Sequence, residues 1–166
     1  FKNTIFVFVA DHVSSEQFSD EFRTSPGGYQ VMGLIHAPES SLVGEHRQVV
    51  SQVDIMPTLL GLLGNEEPYF AFGRDIFNEH VDEPFAINYD NNAFQAITAS
   101  HLIRFDEKSI TGVYAIDDVM HEKNLQTEVS TSDVEQRMKA MIQSYYSRVE
   151  NKDYIVHDSI SGDTTF

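Results

Sequence analysis

The chain has 166 residues, 41% of them hydrophobic, and its 12 Phe and 7 Tyr supply material for a real core. Eleven Lys plus Arg against 26 Asp plus Glu leave a formal charge of −15, which argues against a nucleic-acid backbone or an anionic membrane surface as partner. Cysteine is absent, excluding disulfides, thiolate metal sites and cysteine nucleophiles, and no apolar run approaches the ~20 residues of a membrane span.

The first strong element is Ile5-Phe6-Val7-Phe8-Val9-Ala10, which runs straight into Asp11-His12. Its β-branched and aromatic content predicts a strand buried on both faces, as in a parallel sheet. In such sheets ligands gather beyond the carboxyl ends of the strands, where Asp11 and His12 stand. A carboxylate oxygen beside an imidazole nitrogen suits a divalent cation. The bland alternative makes Asp11 a turn cap and His12 an ordinary loop histidine. A buried strand so close to Phe1 predicts a sheet completed by polypeptide upstream of this chain.

Residues 13–28 form a long polar connection with Pro26-Gly27-Gly28 as punctuation. The apolar run from Tyr29 to Ala37, stopped by Pro38, predicts a second strand. His36 near its end is a candidate to face a site, although packing beside the sheet is the commoner fate of such a histidine. A helix is expected next, with Asp54 as N-cap and Pro57 in the first turn, where a missing N–H costs nothing. Ile55, Leu59, Leu62 and Leu63 make its core stripe, and Gly64 ends it. Asn65 to Glu83 reads as an irregular passage pinned by Phe70, Phe72 and Phe77. Within it, Arg74 is a candidate anion ligand or, more conservatively, a loop-holding partner of Asp75.

From Pro84 the pattern changes. Four short runs, Phe85–Tyr89, Phe94–Thr98, Leu102–Phe105 and Thr111–Ile116, alternate apolar and polar residues between turn clusters such as Asp90-Asn91-Asn92. They predict an antiparallel meander with one wet face. After a polar connection over 117–131, Ser132 and Glu135 predict a capping box. Val134, Met138, Met141, Ile142, Tyr145 and Val149 then recur at helical spacing, so this helix should cover the dry face of the meander. The polar stretch 151–166 is expected to fray. The chain thus divides into an α/β part over 1–83, a small α+β unit over 84–150 and the tail.

Three segments carry a family resemblance. The strand ending in Asp11-His12 resembles the metal-binding motif of the alkaline phosphatase and sulfatase superfamily. Ser51-Gln52-Val53-Asp54-Ile55-Met56-Pro57-Thr58-Leu59-Leu60-Gly61-Leu62-Leu63-Gly64 is similar to that superfamily's later helix motif. Phe72-Gly73-Arg74-Asp75-Ile76-Phe77 resembles the following segment of the lipoteichoic acid synthase-like, phosphoglycerol transferase branch, as does the order of short strands and closing helix. The resemblance implies an α/β fold: the carboxyl-terminal part of an alkaline phosphatase-like parallel-sheet domain, followed by a small four-stranded antiparallel sheet with a covering helix.

It also implies a metal-dependent phospho- or sulfo-transfer enzyme, with Asp11 and His12 as metal ligands. The cofactor is a divalent ion, Mn foremost, with Mg, Ca or Zn as alternatives. The partners implied are a phosphate- or sulfate-ester substrate, for instance a glycerophospholipid headgroup, and the amino-terminal part of the same protein. That part would carry the nucleophile and a further acidic ligand, leaving this piece inactive alone, and helices upstream would anchor it at the periplasmic or extracellular face of a membrane. Sulfuric ester hydrolysis and a truncated non-catalytic binding module are the alternative functions. Two positions depart from the family pattern: Val13 stands where Gly is usual, and Gln30 where many relatives carry His, which points away from a two-metal centre. Thr58, on the expected core helix, is not a substitute nucleophile.

Overall fold

The computed structural model describes residues 1–16, 19–38, 40–78 and 83–153. The expected fraying of the tail falls mostly on residues outside that set. Strand β1 (Phe6–Val9) pairs antiparallel with β2 (Gly33–His36), Phe6 opposite His36 and Val9 opposite Gly33. This corrects the reading of β1 as a strand of parallel type buried on both faces. Its one strand neighbour among the described residues is β2, and Phe8 and Val9 are exposed. An apolar run shows that a strand prefers burial; it does not specify which neighbours provide it.

Ser51 opens a 3-10 turn, Gln52–Asp54, which continues into helix α1 (Ile55–Leu62). Pro57 lies in the first turn, as expected. The end is a Schellman motif: Gly64 takes a φ of 68°, and the N–H groups of Gly64 and Asn65 donate to the carbonyls of Gly61 and Leu60. The leucine stripe is less buried than its pattern predicts. Pro57 and Thr58 are buried, while Leu63 is 70% exposed.

The meander forms as expected: β3 (Ala86–Asp90), β4 (Ala93–Ile97), β5 (His101–Phe105) and β6 (Ile110–Ala115), in sheet order β3-β4-β5-β6. Asn91 and Asn92, with φ of 48° and 59°, make the two-residue hairpin turn between β3 and β4. Register aligns Ile87, Ala96, Ile103 and Val113 in one row across all four strands. Helix α2 (Ser132–Asn151) lays the buried Met138 on that face, with Phe105 and Ile110 completing the core. The predicted capping box is not formed. Thr131 is the N-cap and makes no side-chain cap bond, and the Glu135 carboxylate instead accepts from Lys139 one turn on.

The second face of the meander is not wet. Gln95 and Leu102 on it are buried, and Ser25 Oγ donates to Gln95 Oε1 at 2.5 Å. Tyr29 reaches the same sheet, its phenol donating to the Tyr89 carbonyl (3.0 Å) and to Asp90 Oδ1 (3.4 Å). Burial, and secondarily the Asp90 carboxylate, raise that phenol's pKa. The connection over 117–131 runs along the outer edge of β6: Leu125 N–H donates to the Val113 carbonyl (2.7 Å) and Gln126 Nε2 to that of Ile110 (2.7 Å). An edge strand is thereby covered. Among the described residues no helix is long and apolar enough to cross a membrane.

Candidate metal centre at the end of the first strand

The carboxyl end of β1 is held from two sides. Ala10 N–H donates to the Met32 carbonyl at 3.3 Å. From the opposite direction Gln52 Nε2 donates to the carbonyls of Ala10 (2.7 Å) and Asp11 (3.2 Å). Gln52 is fixed in turn by the 3-10 turn that it begins. The Asp54 carboxylate, itself buried, accepts Ser51 N–H (2.8 Å) on one oxygen and Arg74 N–H (2.9 Å) on the other. Asp54 is therefore structural, as expected, but its partners correct the detail: it forms a capping box with Ser51 and does not cap α1 through its side chain.

Arg74 is also corrected. Its guanidinium donates to the Val49 carbonyl at 3.1 Å, while Asp75 accepts from Phe77 N–H (3.0 Å) within its own turn. The side chain therefore holds the loop by a backbone carbonyl and not through Asp75. Thr58 is buried, donating its hydroxyl to the Asp54 carbonyl at 2.6 Å and accepting Ile76 N–H, which agrees with its exclusion as a nucleophile.

Asp11 and His12 point into solvent, their side chains 90% and 78% exposed. Asp11 Oδ1 accepts the His12 N–H at 3.0 Å. His12 Nδ1 lies 2.7 Å from the Val13 carbonyl. A carbonyl only accepts, so the proton of the neutral ring is on Nδ1 and the Nε2 lone pair is free. Metal-binding histidines are commonly oriented by such a carbonyl partner. Nε2 stands 3.7 Å from Asp11 Oδ1, less than the roughly 4.2 Å that two metal–ligand bonds of about 2.1 Å would span end to end. One ion can therefore touch both atoms. The donor set fits a divalent cation, as two members of a larger coordination sphere. No group of three His, Cys, Asp or Glu that could hold a metal gathers among the described residues.

Two further residues separate at this point. Gln30 lies at the same end of the strand pair, three residues before Gly33, the partner of Val9. His36 lies at the other end, opposite Phe6 and stacked with it at 6.1 Å. Antiparallel pairing sets it at the Phe6 end of β1, about 10 Å from the Val9 end at some 3.3 Å per strand residue, so it does not face this site. Gln52 and the Val13 carbonyl were not singled out from the sequence. The Gln52 contacts span 41 and 42 residues, and no local pattern announces them.

Residues 1–65 match the family model described as sulfatase. The fold matches that of a crystal structure of a protein in the alkaline phosphatase superfamily from Vibrio parahaemolyticus, with a TM-score of 0.73 and 22% sequence identity. That match covers 94% of this chain and 37% of the other, so the chain spans little more than a third of that relative's length. No curated protein matches. The chain is thus similar to the sulfatase family over residues 1–65 and has, through most of its length, the fold of an alkaline phosphatase superfamily protein.

Proposed function

We propose that this chain is part of a metal-dependent enzyme transferring phospho or sulfo groups from ester substrates, of the phosphoglycerol transferase or phosphatase-like kind, with Asp11 and His12 as two ligands of a divalent ion, Mn foremost. The observation that supports it is the free His12 Nε2 beside Asp11 Oδ1, at a strand end inside the segment with sulfatase-family similarity. When bound, such an ion lowers the pKa of a hydroxyl and stabilises charge on phosphoryl or sulfuryl oxygens. Asp11 contributes an anionic oxygen. His12 contributes a lone pair whose direction is set by the Val13 carbonyl. The chain's net charge of −15 favours cations near its surface.

In this reading residues 1–83 belong to the catalytic domain and 84–150 to a small unit packed beside it. The nucleophile and the remaining ligands come from polypeptide outside these residues. The whole protein works at the periplasmic or extracellular face of a membrane, with a glycerophospholipid headgroup as a candidate substrate. Sulfuric ester hydrolysis is the second reading, favoured by the family that residues 1–65 match.

The test begins with Mn(II) binding to the protein of the full reading frame, where the remaining ligands are present, followed by electron paramagnetic resonance. Asp11→Ala and His12→Ala should each weaken binding by at least roughly tenfold, since loss of a primary ligand exceeds the 10–100-fold effect of an outer partner. Equal binding by all three proteins would remove the metal assignment. Assay of the full reading frame on nitrophenyl phosphate, nitrophenyl sulfate and a glycerophosphodiester separates the two reactions.

A further inference from the structure

The geometry points to Gln52 as a positioning residue for the Asp11–His12 pair, an inference that rests on the metal reading above. Its amide Nε2 donates to two consecutive carbonyls, those of Ala10 and Asp11, at 2.7 and 3.2 Å. These carbonyls border the peptide units from which the Asp11 and His12 side chains spring. The last bond from this strand end to the segment leading into β2 is Ala10 N–H to the Met32 carbonyl at 3.3 Å, and the chain beyond is a bend with both side chains in solvent.

Gln52 can do this because its own backbone is immobilised. Ser51 and Asp54 close the capping box around it, and Asp54 is tied to Arg74 N–H at 2.9 Å. Arg74 N–H and Ser51 N–H thus share the Asp54 carboxylate, and the backbone carries that link from Ser51 to Gln52, whose amide bonds the strand end. Within the turn, the Asp11 carboxylate accepts His12 N–H and the His12 ring is held at Nδ1 by Val13. The Gln52 bonds add what those local contacts cannot: a fixed orientation of the whole turn relative to α1. Restricting the turn reduces the ordering cost of bringing both donor atoms onto one ion.

Two variants test this, Gln52→Met, close in shape without a donor, and Gln52→Asn, whose shorter amide falls short of both carbonyls. Two measurements are made on the protein of the full reading frame: amide hydrogen exchange across residues 10–13, and Mn(II) affinity by electron paramagnetic resonance, with Asp11→Ala alongside. The expected result is faster exchange at those amides and about tenfold weaker Mn(II) binding in both variants, at an unchanged melting temperature. If Asp11→Ala weakens Mn(II) binding and the Gln52 variants bind like the parent, the positioning role is overturned and the metal reading survives. If Asp11→Ala binds like the parent, both fall together. A large drop in melting temperature in both Gln52 variants would make Gln52 a folding residue and also overturn the role.

Discussion

At Gly73 the backbone passes so close to the 3-10 turn that an added Cβ would overlap the Val53 carbonyl and the Asp54 nitrogen. Only the missing side chain lets the next residue, Arg74, bring its N–H to the Asp54 carboxylate. Gly73→Ala should therefore destabilise the chain by about 1–3 kcal/mol, the usual cost of forcing atoms into a packed contact. A lower urea midpoint with an unchanged denaturant slope is the expected result, and an unchanged midpoint would show that this approach is not tight. The local part of this arrangement was legible: Asp54 before Ile55-Met56-Pro57 announces the start of a helix. Its second partner, twenty residues on, was not, because Gly73-Arg74-Asp75 by itself describes any charged turn. The same holds for His36. Its position near a strand end is visible in sequence, but which end of the sheet it occupies depends on the direction of its neighbour.

Among the elements, the meander was legible nearly residue by residue, because alternation and turn chemistry are both local and agree with each other. The connection over 117–131 was not. Its polar composition predicts a solvated loop, yet it seals the β6 edge, and its geometry begins at Asp118. That carboxylate accepts the N–H groups of Glu122 (3.0 Å) and Lys123 (2.9 Å), while His121 stacks on Tyr114 at 4.6 Å. Bonds from the Lys123 and Glu122 N–H groups, in that order, lower the Asp118 pKa below its ordinary value of 3.8. A group with a lowered folded pKa contributes stability that is present above the ordinary value and lost as pH falls through the folded one. Asp118→Ala should thus have a lower urea midpoint at neutral pH and a shallower loss of stability below about pH 4 than the parent. Parallel pH profiles would contradict it.

For the molecule as a whole, α2 does more than cover the sheet. Its second half meets the loop that follows α1: the Arg148 guanidinium lies 3.6 Å over the Phe70 ring, and Tyr145 is 5.8 Å from Phe72. Between them lies a cleft of about 260 Å³, lined by Val53 and Phe72 on one side and by Phe85, Phe94, Met141 and Tyr145 on the other. A double-mutant cycle of Arg148→Ala and Phe70→Ala should give a coupling of roughly 0.5–1 kcal/mol, measured by urea unfolding; strictly additive effects would show that the contact adds nothing to stability. The sequence by itself determined the strand runs, the hairpin turns, the two helices, and the Asp-His pair at a strand end, because each follows from side-chain period or from chemistry within a few residues. Only the tertiary structure decided that β1 and β2 run antiparallel, that Ser25 and Tyr29 hydrogen-bond to the meander, and that Gln52 grips the strand end. Each of those depends on contacts between residues far apart in the chain, whose pairing is settled by what can be buried and hydrogen-bonded together and leaves no trace in local spacing.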